Sequence, residues 1–236
     1  HRQMVADLPE LGDKGRWPRL AQDIDLDDAE RLAAAASIVQ PPRLWTMVTR
    51  RGFVQQFVHA GMERIIAQGA SLLPHLDRRD APIALVPGGQ GDLVVLTRWG
   101  NAIRFAHHTI ETQGSRALDL DPDDEVVGAL SLSSNERTPG HELLIVTASG
   151  CGIRRDVAQL PARSRPGDTA GKALIQAHDV LGAFCWHQNA QLVFATYSGK
   201  LVFASSESAK RHERLAKGSP LCDLGHDPAV AVAQIP

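Results

Sequence analysis

Short apolar runs recur along the chain, and each is closed by the same four-residue phrase. Leu44–Val48, Leu93–Leu96, Leu143–Val146 and Leu192–Ala195 lead into Thr-x-x-Gly at Thr49–Gly52, Thr97–Gly100, Thr147–Gly150 and Thr196–Gly199. A second run of alternating polarity follows each turn, at Phe53–Phe57, Asn101–Phe105, Gly152–Arg155 and Leu201–Ala204. Runs of this length, joined by a short loop ending in a glycine that accepts positive φ, predict tight β-hairpins. Each hairpin is followed by a polar loop with a small or basic centre: Gln68–Ala70, Gly114–Ala117, Gly171–Ala173 and Lys217–Ser219. An acidic or polar step then precedes a third apolar strand rich in small residues, at Pro82–Val86, Val126–Leu132, Val180–Trp186 and Ala229–Ile235.

The threonines lie 48, 50 and 49 residues apart (97−49, 147−97, 196−147). A constant period of this size signals a tandem array of one supersecondary unit. Four strands per unit around an axis is a propeller-type plan, and closing such a ring hides strand edges. The predicted fold is therefore all-β, propeller-like, with units at about 44–90, 91–140, 141–189 and 190–236.

Residues 1–43 read as a further, incomplete unit. Val5–Leu8 matches Val157–Leu160, and Gly12–Gly15 stands where the small or basic loop belongs. Asp27–Leu32 followed by Ala33–Ile38 matches Asp123–Val127 followed by Gly128–Leu132. One repeat before Thr49 falls just ahead of His1, so the natural chain is expected to continue upstream. Propensity alone favours a helix over 26–36, where Ala, Leu, Glu and Arg abound; the register favours a strand. The expectation is a single body of about five blades of four strands, the first incomplete.

Composition narrows the function. Hydrophobic residues make up 43% and charged residues 22%, the usual balance of a globular chain. No apolar stretch approaches the roughly 18–20 residues that span a bilayer. The cysteines Cys151, Cys185 and Cys222 are few, odd in number and far apart, which reads as reduced thiols of a cytoplasmic protein, with Cys185 a small core residue.

Catalytic motifs are wanting. The single tyrosine, Tyr197, sits in a hairpin turn and reads as a structural aromatic. Gly167–Lys172 has its glycines four apart, where a Walker A loop needs five, and Ala173 replaces the magnesium-binding hydroxyl. Gly88–Gly91 reads as an inter-unit loop. His107 and His108 read as a surface pair without zinc-ligand spacing, and Asp121 to Glu125 as a solvated turn. No cofactor or metal is expected. The tryptophans, spread over the units, suit blade packing.

Leu143–Arg155, Met47–Val54 and Asp123–Leu130 resemble the repeat of the C-terminal domain of bacterial DNA gyrase A and its topoisomerase IV counterpart. Leu11–Gly15 and Gly171–Ala173 resemble the Gly- and Lys-rich loops of that family. The resemblance covers essentially the whole chain. It implies a β-pinwheel, a propeller variant with strands exchanged between blades. It also implies a noncatalytic domain that binds and bends or wraps duplex DNA on its outer rim for a type IIA topoisomerase. The implied partners are sequence-nonspecific duplex DNA, the breakage–reunion domains and the ATPase subunit; the implied location is cytoplasmic and nucleoid-associated.

The chain also departs from that pattern. The heptad Gln-Arg-Arg-Gly-Gly-Lys-Gly of the gyrase branch is absent, Leu11–Gly15 being its nearest remnant. The basic pair expected after the turn is present at Arg154 and Arg155, reduced to Arg104, shifted to Lys200, and replaced by Gln55 and Gln56; Arg2 is its equivalent in the first unit. This places the chain nearer the topoisomerase IV type or a stand-alone paralogue. It also keeps open an alternative, a protein-interaction propeller that has lost DNA wrapping. The net charge of −2 supplies no overall basic surplus, so DNA binding would need cations clustered on one margin. The candidate phosphate contacts are Arg50, Arg51, Arg98, Arg104, Arg116, Arg154, Arg155, Lys172 and Lys200.

Overall fold

The threonine of each turn recurs because its side chain closes the hairpin. A computed structural model describes residues 41–235 except positions 78 and 168. In all four turns the Thr Oγ1 accepts the backbone N–H of the residue four later: Phe53 (3.0 Å), Asn101 (3.3 Å), Cys151 (3.1 Å) and Lys200 (3.1 Å). The turn glycine donates its N–H to the threonine carbonyl, at 3.0 Å in the first turn, with φ near +80° throughout. An aspartate from the start of the third strand completes the turn. Asp80, Asp124, Asp179 and Asp227 accept the N–H of the third turn residue, namely Arg51, Trp99, Ser149 and Ser198. The acidic step of the repeat is thus a turn clamp, and Asp124, read from sequence as solvated, is 2% exposed.

The hairpins are β1 (Leu44–Thr49) with β2 (Phe53–Val58), β4 (Asp92–Thr97) with β5 (Asn101–Ala106), β8 (Glu142–Thr147) with β9 (Cys151–Asp156), and β12 (Gln191–Thr196) with β13 (Leu201–Ser205). The third strands are β3 (Pro82–Gly88), β7 (Val126–Leu132), β11 (Val180–Cys185) and β16 (Ala229–Ile235), each antiparallel to the first strand of its own hairpin. The remaining strands are short: β6 (Ser115–Arg116), β10 (Lys172–Ala173), β14 (Lys210–Arg211) and β15 (Ser219–Pro220).

The short strands do not join the sheet of their own unit. β6 pairs with β2, β10 with β5, and β14 and β15 with β9, so each edges the preceding blade. The described residues therefore form four blades, three of them completed by the unit that follows. This is the strand exchange of a β-pinwheel. The first-unit residues 1–40 lie outside the described residues, including the segment where helix and strand readings compete.

Consecutive third strands pack on one another, β3 on β7, β7 on β11 and β11 on β16, which places them innermost and the exchanged strands outermost. The core fills the spaces between blades. Val48, Val54, Leu93, Val95, Ile103 and Phe105 join the first to the second; Val94, Leu96, Leu143, Ile145 and Ile153 join the second to the third. Strands β4 and β8 are buried along their whole length because a blade lies against each face. That accounts for apolar runs without the alternation of a half-exposed strand.

Two features escape the repeat pattern. Where later units make a single 3-10 turn, the first has a helix, α1 (His59–Ala67). Its Met62 packs with Trp45, Met47 and Phe57, and Trp45 Nε1 donates to His59 Nδ1 at 2.9 Å. His107 is the second. Instead of being a surface residue it is fully buried, linking Thr46 Oγ1 (3.0 Å) on the first blade to Ser131 Oγ (2.9 Å) on the second. Burial lowers its pKa from 6.5 to about 4, against an opposing pull from Asp92. The folded state holds this imidazole neutral, so the unfolded chain binds more protons between those values. Stability from this group is complete above pH 6.5 and is lost as pH falls toward 4, by up to about 3 kcal/mol. Urea melts across this range should show the loss, and His107→Gln should flatten the slope.

The exchanged segments also explain one glycine sharply. At Gly100 (φ +79°) a Cβ would lie 2.6 Å from Ile175 Cγ2 and 2.7 Å from the Ile175 carbonyl, whereas at Gly199 (φ +85°) nothing lies within 4 Å. Gly199→Ala should cost only the left-handed strain, about 1–2 kcal/mol. Gly100→Ala should add overpacking of about 1–3 kcal/mol. Equal losses in denaturation midpoint would show that the exchanged segment does not seat on the turn.

Candidate nucleic-acid interface

The exchanged strands bring cations to one margin of successive blades. β6 sets Arg116 opposite Phe53, the residue after the first turn. β10 sets Lys172 opposite Ala102, two residues after the second turn. β14 sets Lys210 opposite Ile153, three after the third turn. All three are exposed. The outermost strand at the turn end of three consecutive blades thus carries at least one basic residue.

The turns add to the same end. Arg50, Arg51, Arg98 and Lys200 are exposed there. Arg50 and Arg98 share Glu125: Arg50 Nε lies 3.8 Å from one carboxylate oxygen, and Arg98 hydrogen-bonds the other. Arg116 pairs with Asp119 at 2.9 Å across the surface, and Lys172 Nζ donates to the Gln159 carbonyl at 2.6 Å. Exposed pairs of this kind contribute about 0–1 kcal/mol, so these groups can exchange partners with a phosphate at little cost.

Arg104 and Arg155 stand elsewhere. Arg104 is 7% exposed; its Nε donates to Asp92 at 2.7 Å and its Nη atoms to the carbonyls of Arg137, Val157 and Leu160. Arg155 is 3% exposed and donates to the carbonyls of His212 (3.0 Å) and Arg214 (2.6 Å). Both guanidinium groups tie the following unit to the blade edge, and neither reaches solvent where a phosphate could meet it. Arg154 is intermediate. Its guanidinium lies 4.1 Å above the Trp186 ring, a cation–π contact. Its Nε is 3.0 Å from Glu142 Oε2, at ion-pair distance without hydrogen-bond geometry. Arg211 reaches the same Glu142 at 3.1 Å and Asp156 at 3.2 Å, so this knot is internally neutralised.

The margin also holds exposed cations that turn spacing does not reveal: Arg163, Arg165, Lys210, Arg214 and Lys217. Arg163 runs beside β5, its N–H donating to the Arg104 carbonyl at 2.7 Å. These residues occupy the exchanged segments, and the signal that could have found them is the basic bias of the loops between second and third strands.

Tyr197 is 83% exposed at a turn. No group of three His, Cys, Asp or Glu side chains is placed to hold a metal among the described residues. Among them, too, no helix is long and apolar enough to cross a membrane. The thiol of Cys185 is pushed up to about 12, first by burial and then by Glu136.

Residues 91–133 and 141–167 match the family model described as DNA gyrase C-terminal domain, beta-propeller. These two stretches, spanning parts of the second and third blades, are similar to that family's repeat. The DNA gyrase A protein of Staphylococcus aureus (strain MRSA252) is 23% identical over 235 residues, covering 95% of this chain and 26% of the relative. The chain thus spans about a quarter of the length of the curated relatives it matches. A solved DNA gyrase A C-terminal domain superposes with a TM-score of 0.76 at 18% identity, covering 93% of this chain and 75% of the other. The C-terminal domain of DNA topoisomerase IV superposes at 0.74 with 16% identity, covering 98% and 74%. The gyrase-type β-pinwheel is therefore the fold of this chain, and the cations described above lie along its outer, exchanged edge.

Proposed function

We propose that this chain is a noncatalytic domain that binds duplex DNA along its outer edge and bends it, serving a type IIA topoisomerase. The observation that carries the reading is the recurrence of Arg116, Lys172 and Lys210 on the exchanged strands of three consecutive blades, at the end where Arg50, Arg51, Arg98 and Lys200 stand on the turns. Cations on the exchanged strands of successive blades, one to three residues beyond each turn, suit a polyanion that follows the curved edge. Contacts to phosphate carry no sequence information, so binding is nonspecific in sequence. Preference among sites arises from deformability, since bending a stiff duplex costs about 1–6 kcal/mol.

In the parent enzyme the partners are the breakage–reunion domains and the ATPase subunit; ATP-dependent strand passage belongs to those parts. The role of this chain in that assembly is to choose and hold the DNA segment. Binding to a duplex of arbitrary sequence, titrated with salt, tests the reading. Affinity should fall linearly in log–log form with a slope of about −0.9 per phosphate contacted. A flat response, or no binding at low salt, would return the fold to the alternative role of a protein-interaction module.

A further inference from the structure

The second turn residue is basic in the first two blades and neutral in the next two: Arg50, Arg98, Ala148 and Tyr197. An acid stands beside the two arginines. Glu125 follows the turn clamp Asp124 and precedes β7, at the seam between the first and second blades. The corresponding step is Ala81 in the first blade and Pro228 in the fourth, and in the third Asp179 leads straight into Val180. Among the described residues, an acid beyond the clamp aspartate therefore occurs only at the seam that has an arginine on each side.

Backbone contacts hold Glu125 there from both sides. Its carbonyl accepts the Arg98 N–H at 2.8 Å, and the next residue, Val126, donates its N–H to the Arg50 carbonyl at 2.9 Å. Its own N–H donates to Asp124 Oδ1 at 2.9 Å. With the main chain fixed in this way, the carboxylate lies between the two guanidinium groups. Arg50 Nε is 3.8 Å from Oε2, and Arg98 Nη2 hydrogen-bonds Oε1. The arginine side chains are about half exposed, at 49% and 50%, so an anion from solvent can reach both.

We propose that Glu125 is a built-in competitor, which occupies in place of a DNA phosphate the anion site that Arg50 and Arg98 form across this seam, and so holds duplex affinity down. The inference rests on the DNA-binding reading above and adds to it a residue that opposes binding. A carboxylate and a phosphodiester each offer two terminal oxygens and a single negative charge. Guanidinium groups hold either one through charge-assisted hydrogen bonds. A phosphate that takes the arginines must displace the carboxylate and then sit beside its like charge. Both penalties disappear when the carboxylate is replaced by a neutral group.

Duplex binding by the full chain, followed by fluorescence anisotropy at about 0.1 M salt, where screening acts over about 10 Å, tests the competitor. Glu125→Gln should bind about three- to fivefold tighter than the unmodified chain, the span of one exposed ion pair. Glu125→Ala should do the same, and circular dichroism should show both variants folded. The gain should fade as salt rises, since a surface charge effect is screened. It should vanish when Arg50→Gln and Arg98→Gln are already present, because the carboxylate acts through those two groups. Glu207 is exposed just after β13, at the end of the fourth blade away from its turn. Glu207→Gln removes the same charge there and should leave affinity within about 1.5-fold. Equal duplex binding by Glu125→Gln and the unmodified chain would overturn the competitor role and leave the DNA-binding reading standing. So would a gain that persists without the two arginines, or one that Glu207→Gln matches. If neither chain binds duplex even at low salt, the DNA-binding reading itself fails, and the competitor role with it.

Discussion

Combining Arg116→Glu, Arg163→Glu, Lys172→Glu and Lys210→Glu should lower the proposed affinity for duplex DNA by about a hundredfold or more at low salt and leave the fold intact. The four side chains are exposed on the exchanged segments of three blades, and none belongs to the core. Arg116 meets a surface carboxylate, Asp119, and Lys172 meets the Gln159 carbonyl; both are exposed contacts, so folding has little to lose. If each of the four contacts one phosphate, the salt slope becomes shallower by about 3.6, at about 0.9 per contact. The loss should be the same for unrelated sequences, since backbone contacts are being removed. Fluorescence anisotropy over a salt series, with circular dichroism as the control for folding, makes the measurement. Unchanged affinity in the folded variant would show that DNA does not follow this margin.

Arg104→Met should have the opposite profile, with a large loss of stability and no loss of DNA binding by the folded fraction. Among the described residues the substitution leaves Asp92, 3% exposed, with Arg137 at 3.6 Å as its one arginine or lysine partner. It also strips donors from the carbonyls of Arg137, Val157 and Leu160. Removing one member of a buried pair typically costs about 3–5 kcal/mol, because the remaining charge is stranded. Against a total of about 5–15 kcal/mol for an ordinary domain, that is a major fraction. Replacing both members, Asp92→Leu with Arg104→Met, should recover part of the loss. Urea denaturation gives the stability and anisotropy gives the binding. A variant of normal stability that bound DNA weakly would return Arg104 to the phosphate-binding set.

The contrast between Arg104 and Arg116 shows how far the chain could be read without coordinates. Position within the repeat made both of them candidates. Only packing separates them, because Arg104 occupies a strand position that the next unit folds over, and Arg116 is part of what does the folding over. The same long-range event hid Arg163, Lys210 and Lys217, which lie in loops of their own unit by sequence and on the edge of the preceding blade in space. Asp124 and His107 are buried by other contacts, Asp124 against the turn of its own blade and His107 between the first two blades. The helix α1 was invisible for a different reason: it replaces a single turn in one unit alone, so no period announces it.

By itself the sequence determined the three long strands and the Thr-x-x-Gly turn of each of the four described units, since these rest on local chemistry. The threonine hydroxyl, the glycine at positive φ and the apolar runs act over a few residues and recur at a fixed spacing. Tertiary structure alone decided which blade receives each short strand, and therefore which arginines are internal struts and which face solvent. That outcome depends on contacts between units some fifty residues apart, where burial and pairing are set by the neighbouring blade and not by the residue's own surroundings in the chain.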